Sequence, residues 1–196
     1  VGHQLFILRH GQTEWSVNGR HTGRTDIPLT AAGEEQARAA GGTLRTLLGG
    51  PKLVLSSPRA RAVRTAELAG LLVDEVTEDL AEWDYGDYEG VTTTAIREQV
   101  PGWTVWTHPM PGGESAQHVG ARADKLLDAA RREIEHGDVV LVGHGHFSRV
   151  LVARWVGLPA NAGVHFGLDP AGLAVLGDER GEPQIEHLNL LPALEG

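Results

Sequence analysis

A chain of 196 residues, 41% of them hydrophobic, is long enough to bury one substantial core and predicts a single domain over 1–196. Its formal charge of -9 argues against nucleic acid as a partner, because gripping a polyanion takes clustered cations that release counterions. With no cysteine there is no disulfide framework, no thiolate metal site and no cysteine nucleophile.

The chain runs early into Leu5-Phe6-Ile7-Leu8. This apolar run is too short for a signal segment or a membrane span, and no basic segment precedes it, so a cytoplasmic chain without membrane contact is expected. Such a run reads as a strand buried on both faces, and it ends at Arg9-His10-Gly11. Thr30 is a plausible N-cap for an Ala-rich helix from Ala31 to about Leu48, closed by Gly49-Gly50-Pro51. The plan then repeats, with a strand at Leu53–Leu55, a loop at Ser56-Ser57-Pro58 and a helix from about Arg59 to Leu72. Two long irregular connections follow, Leu80–Gly90 and Pro101–Gly113, and suggest a lid or pocket wall. Glu114 to about Glu135 is an amphipathic helix, with Glu114 and Ser115 at its start. It feeds a strand at Val139–Val142, then Gly143-His144-Gly145-His146 and a helix to about Val156 whose Arg149 is expected to be solvated. Short strands are expected near Leu173–Leu176 and Gln184–Leu188. Alternating strands and helices predict an α/β three-layer sandwich, a mostly parallel central sheet with helices on both faces.

Both histidine-bearing loops follow buried strands, and ligands of open α/β sheets lie at the carboxyl ends of strands, so the loops can meet in space. Arg9-His10-Gly11 sets an imidazole beside a guanidinium, although alone it reads equally well as a solvated loop. Ser57-Pro58-Arg59-Ala60-Arg61 adds arginines at a helix start, where anions are already favoured; for two of Arg59, Arg61 and Arg64 solvation of the helix face is the expected role. Glu82 lies among Trp83 and Tyr85, aromatic side chains able to desolvate a carboxyl and raise its pKa toward that of a general acid. Trp15, Trp83 and Trp106 are expected as pocket walls. A nucleophile, cationic phosphate ligands and one acid are what phosphoryl transfer through a covalent intermediate requires.

Together these motifs resemble the histidine phosphatase superfamily, whose fold is phosphoglycerate-mutase-like. The resemblance implies that His10 becomes phosphorylated and that Arg9, Arg61 and His144 contact the phosphate. Ser57, Ala62 and Thr65 fix the register that selects Arg61. It also implies Glu82 as proton donor, with Glu89-Gly90 downstream, and a substrate loop within Trp15–Thr30 that carries Ser16, Arg20, Thr22 and Gly23. Tyr85 and Gly145 complete the candidate substrate-binding set. Two positions depart from the pattern: Gly143 stands where Ser is common, and Ser16 stands where the mutases have Asn.

Trp106-Thr107-His108 occupies the place of a basic pair that holds the second anionic end of a mutase substrate, and a longer insertion is missing. Loss of those cations favours hydrolysis. The motifs around His10 and Glu82, with Trp103 and Trp106, are closest to the sedoheptulose-bisphosphatase-like and acid phosphatase members, which implies a small phosphorylated metabolite, a sugar phosphate or bisphosphate, as partner. No cofactor or metal is implied, and a monomer or homodimer is expected. Three rival readings are a mutase, a metal-dependent hydrolase using His10, His144, His146 and Asp84, and a noncatalytic binder of phosphorylated ligands.

Overall fold

The computed structural model describes residues 2–193. Its sheet is built from β1 (Leu5–Arg9), β2 (Pro51–Ser56), β3 (Glu75–Val76), β4 (Asp138–Gly143), β5 (Leu173–Glu179) and β6 (Glu182–Leu190), in the order β3-β2-β4-β1-β5-β6. The pairings β3-β2, β2-β4 and β4-β1 are parallel, and β1-β5 and β5-β6 are antiparallel.

The continuous apolar runs have a physical reason. Side chains of a strand alternate between faces, so Leu5 and Ile7 join one core with Leu141 and the helices α5 (Ala116–Ile134) and α6 (Gly145–Trp155). Phe6 and Leu8 join the opposite core with Val140, Val142 and the helices α2 (Ala31–Leu47) and α3 (Ala60–Leu68). Each central strand therefore stabilises two layers. Two shorter helices, α1 (Glu14–Asn18) and α4 (Thr93–Gln99), lie in stretches where none is expected from the sequence. Thr13 and Thr92 cap them through main-chain N–H groups.

The helix expected to reach Leu72 ends at Leu68, because Gly70 takes a left-handed φ of 77° and Leu71 N–H turns back to the Ala66 carbonyl. Register places the functional loops. Arg9 pairs with Gly143, and Ser56 with Val142, so three parallel neighbours end at one level and hand on to His10, Ser57 and His144. Among the described residues no helix is long and apolar enough to cross a membrane.

Candidate active site

His10 leaves β1 with its own N–H bonded to the Gly143 carbonyl, and the next N–H, of Gly11, bonds to Thr65 Oγ1 on α3. Gly11 is required by close packing rather than by φ: a Cβ there would stand 2.3 Å from the Gly33 carbonyl oxygen at the start of α2. The loop is thereby clamped between two helices.

The His10 ring Nδ1 lies 2.7 Å from the Gly11 carbonyl oxygen. A carbonyl only accepts, so Nδ1 carries the hydrogen and Nε2 keeps the lone pair. Arg61 Nε donates to that Nε2 at 3.3 Å. Burial above all, then the charges of Arg61 and Arg9, hold the His10 pKa well below the ordinary 6.5. His10 is thus a neutral imidazole with one directed lone pair in a cationic setting.

Arg61 is fully buried on the first turn of α3, and its fork is spent on more than His10. Its two terminal nitrogens donate to the carbonyls of Thr22, Gly23 and Thr25, at 2.8 to 3.1 Å, and one of them reaches His144 Nδ1 at 3.2 Å. His144 is also fully buried; because the guanidinium can only donate, its Nδ1 is the acceptor and its Nε2 carries the hydrogen, donated to Ser57 Oγ at 2.7 Å. The two imidazoles meet edge to face with centroids 5.3 Å apart. Arg59 pairs with Glu78, and Arg64 with Glu34 and Glu67, so the helix-face role expected for two of the three arginines falls to them.

Beside this cluster opens a cavity of about 230 Å³. Arg9, His10 and Glu82 line it, together with Ser16, Arg20, Thr22, Tyr85 and Gly145. Arg61 and His144 stand behind His10 and do not border it. Gly23 does not border it either: its N–H is committed to the Glu89 carboxylate and its carbonyl to Arg61, so the sequence-based placement of Gly23 in the substrate-binding set is corrected. Ser16 does line the cavity, but its single hydroxyl hydrogen goes to the Thr13 carbonyl within the α1 cap. Arg9 donates to the Leu168 carbonyl, while its Nε is buried with no partner. A buried guanidinium N–H with no acceptor among the described residues is a donor the fold leaves uncommitted, and an oxyanion is the group that suits it. A Cβ on Gly145 would stand 3.1 Å from that guanidinium, so only glycine leaves it undisturbed.

Glu82 is the carboxylate on the cavity wall, and its environment differs from the aromatic shell expected. Main-chain N–H groups of Trp83, His146 and Phe147 donate to it at 2.8 to 3.0 Å, the last two from the N-terminal turn of α6. These donors solvate the carboxylate in place of water. Arg122 supports the same corner by donating to the carbonyls of Ala81 and Glu82 and pairing with Glu114.

Five cavity residues lie outside the expected catalytic and substrate-binding sets: Gly19, His21, Thr93, His146 and Arg149 all line it. Arg149 is not merely solvated: its guanidinium stacks 4.7 Å over the Trp106 ring and is held by the Gly163 and Val164 carbonyls, with no carboxylate partner among the described residues. The signal was available, since positions 145, 146 and 149 share one face of a helix. Arg149 and Arg20 also put cations on the cavity wall that the Trp106-Thr107-His108 substitution was expected to remove. None of the three tryptophans expected as pocket walls lines the cavity: Trp83 and Trp106 are buried in edge-to-face contact with centroids 5.8 Å apart, and Trp15 is partly exposed under Arg20. The metal set is not assembled: Asp84 pairs with Arg24, His144 faces Ser57, and among the described residues no three His, Asp or Glu side chains converge as metal ligands.

The chain has relatives of known sequence and structure. An acid phosphatase of Mycobacterium tuberculosis (strain ATCC 25618 / H37Rv) is 49% identical over 188 residues, covering 96% of this chain and 93% of that protein. A sedoheptulose 1,7-bisphosphatase of Saccharomyces cerevisiae (strain ATCC 204508 / S288c) is 35% identical over 184 residues, covering 79% of this chain and 68% of that protein. The solved structure of an open reading frame from Mycobacterium tuberculosis superposes with a TM-score of 0.94 at 48% identity, covering 97% of this chain and 99% of that one. The fold is that of the phosphoglycerate-mutase-like proteins. Residues 5–191 match the family described as "Histidine phosphatase superfamily (branch 1)", and the chain belongs to that superfamily.

Proposed function

We propose that this protein is a phosphatase of small phosphorylated metabolites, sugar phosphates or bisphosphates, that works without a metal through a phosphohistidine at His10. One observation carries the reading: the neutral, tautomer-fixed Nε2 of His10 meets the Arg61 guanidinium and lies in the field of Arg9, and His10 and Arg9 line one cavity. A lone pair in a cationic setting suits attack on a phosphorus atom whose oxygens need positive charge. The relatives named as phosphatases support hydrolysis as the outcome.

In the first step Nε2 forms a bond to phosphorus as the bond to the substrate oxygen breaks. Arg9 and Arg61 neutralise the nonbridging oxygens, and His144 orients Arg61 through its Nδ1. The leaving alkoxide needs a proton. Glu82 is the acidic side chain on the cavity wall and relays it, taking it from a substrate phosphate that arrives with one proton still bound. In the second step Glu82 accepts a proton from water, whose oxygen attacks the phosphohistidine and releases inorganic phosphate and neutral His10. Since a phosphate monoester loses its last proton near pH 6, this relay favours mildly acidic conditions. Ser16, Arg20, Thr22, Tyr85 and Gly145 border the space left for the rest of the substrate. Arg20 and Arg149, neither paired with a carboxylate in the described structure, suit a second anionic group on it.

The test is phosphate release in EDTA from sedoheptulose 1,7-bisphosphate, fructose 1,6-bisphosphate, 3-phosphoglycerate and p-nitrophenyl phosphate, with His10→Ala as control. Release that needs His10 and survives EDTA is the expected result. Interconversion of phosphoglycerates without release would establish the mutase reading instead, which the cations Arg20 and Arg149 keep open. Ligand binding with neither reaction would make the protein a noncatalytic module.

A further inference from the structure

His21 and His146 lie side by side on the cavity wall, and neither is assigned a part in the phosphoryl chemistry above. Their rings are nearly parallel, at 18°, with centroids 6.1 Å apart. Hydrogen bonds fix both tautomers, and in opposite senses. His21 Nδ1 lies 2.6 Å from the Val91 carbonyl oxygen, so Nδ1 holds the hydrogen and Nε2 is an acceptor. His146 Nδ1 lies 2.5 Å from the Tyr85 hydroxyl, whose hydrogen has no other acceptor in the described structure. Tyr85 is buried, which pushes its pKa well up and keeps it a phenol. Tyr85 therefore donates, His146 Nδ1 accepts, and His146 Nε2 carries the hydrogen as a donor. Burial holds both imidazoles below their ordinary pKa, so the pair stays uncharged. Neither Nε2 has a hydrogen-bond partner among the described residues.

A fixed acceptor next to a fixed donor selects its ligand. A carboxylate or a fully ionised phosphate oxygen has no hydrogen for His21, and an ammonium group has no lone pair for His146. A hydroxyl group has both. Resting on the phosphatase reading, we infer that His21 and His146, with Tyr85 setting the tautomer of the second, form a hydroxyl-reading subsite that restricts this enzyme to polyhydroxylated phosphate esters. The three rings are braced by Trp103 and Trp106, which pack edge-on against His21 and His146 with centroids 5.2 Å apart in each case. Such a subsite discriminates strongly, because an analogue lacking the hydroxyl leaves a buried donor and acceptor unpaired.

Wild-type protein is assayed first on sorbitol 6-phosphate and n-hexyl phosphate, which share chain length and differ in hydroxyl groups. The expected ratio of kcat/KM is about a hundredfold or more in favour of the polyol, and a ratio within threefold of unity would overturn the inference. His146→Phe and His21→Phe should then lower the kcat/KM of sorbitol 6-phosphate relative to p-nitrophenyl phosphate at least tenfold, mainly through KM, with Tyr85→Phe moving the ratio the same way by less. An unchanged ratio, whatever the absolute rates, would also overturn it. Turnover of p-nitrophenyl phosphate that needs His10, with none of the polyol ester, sinks the subsite and leaves the phosphatase standing. Failure on all three esters sinks both.

Discussion

His10 owes its lone pair to two neighbours acting in the same sense. The Gly11 carbonyl holds the hydrogen on Nδ1, while Arg61 makes a second proton on Nε2 unfavourable. Because burial and then Arg61 lower the His10 pKa, the imidazole is neutral from alkaline pH down through 6.5 and protonates only below it. The acid limb of kcat/KM that reports His10 in the free enzyme therefore lies below pH 6.5. Arg61→Met removes the largest cause of the shift after burial. Its His10 should titrate closer to 6.5, followed by NMR of the imidazole, while kcat/KM falls by about a hundredfold to a thousandfold, the usual loss when one preorganised donor is deleted. A His10 in the wild type that titrates at 6.5 or above would contradict this account of the nucleophile.

At the scale of elements, the Thr22–Thr25 segment is held from two sides. Arg61 takes its carbonyls, and Glu89 takes the N–H groups of Gly23 and Thr25 at 3.0 to 3.1 Å. Glu89→Ala leaves those donors unpaired at a local cost of about 1 to 3 kcal/mol. The segment should open to limited proteolysis and faster hydrogen exchange, and KM should rise more than kcat falls. Unaltered exchange over residues 22–25 would show that Arg61 alone holds the loop. This double anchorage explains what the sequence could and could not disclose. The strands were legible because a run such as Leu5–Leu8 is apolar on both faces, and Arg9-His10, Arg61 and His144 were legible because each sits at a strand end or the helix after it. Gly23 was misplaced because Glu89, 66 residues downstream, takes its N–H. Arg149 shares a helix face with Gly145 and His146, a signal the sequence held, but the Trp106 ring that folds under it comes from a distant loop. Partners far apart in the chain decide both, and Glu82 likewise: its neighbours in sequence are aromatic, but two of the N–H groups that solvate it come from a helix more than sixty residues away.

Over the whole molecule, four histidines are kept neutral by the fold. His10, His21, His144 and His146 all have pKa values lowered from 6.5, with burial the largest cause in each. The sign of the linkage follows: between the lowered folded values and 6.5 the unfolded chain binds more protons, so stability is full above pH 6.5 and is lost as pH falls. A histidine that stays neutral throughout in the folded state forfeits about 2 kcal/mol between pH 7 and pH 5. Relief of the net negative charge acts the other way, but those carboxylates are largely at the surface and are screened within about 8 Å at physiological salt. The buried histidines should win, and unfolding by urea should show a midpoint well below its pH 7 value at pH 5. His144→Gln can still donate to Ser57 and accept from Arg61 but cannot titrate, so its pH dependence should be shallower than the wild type by up to about 1.4 kcal/mol per pH unit. A wild-type stability that is flat from pH 7 to 5, or a variant with the same slope as the wild type, would mean that these imidazoles take up protons inside the fold and that the site around His10 is more open to water than its burial implies.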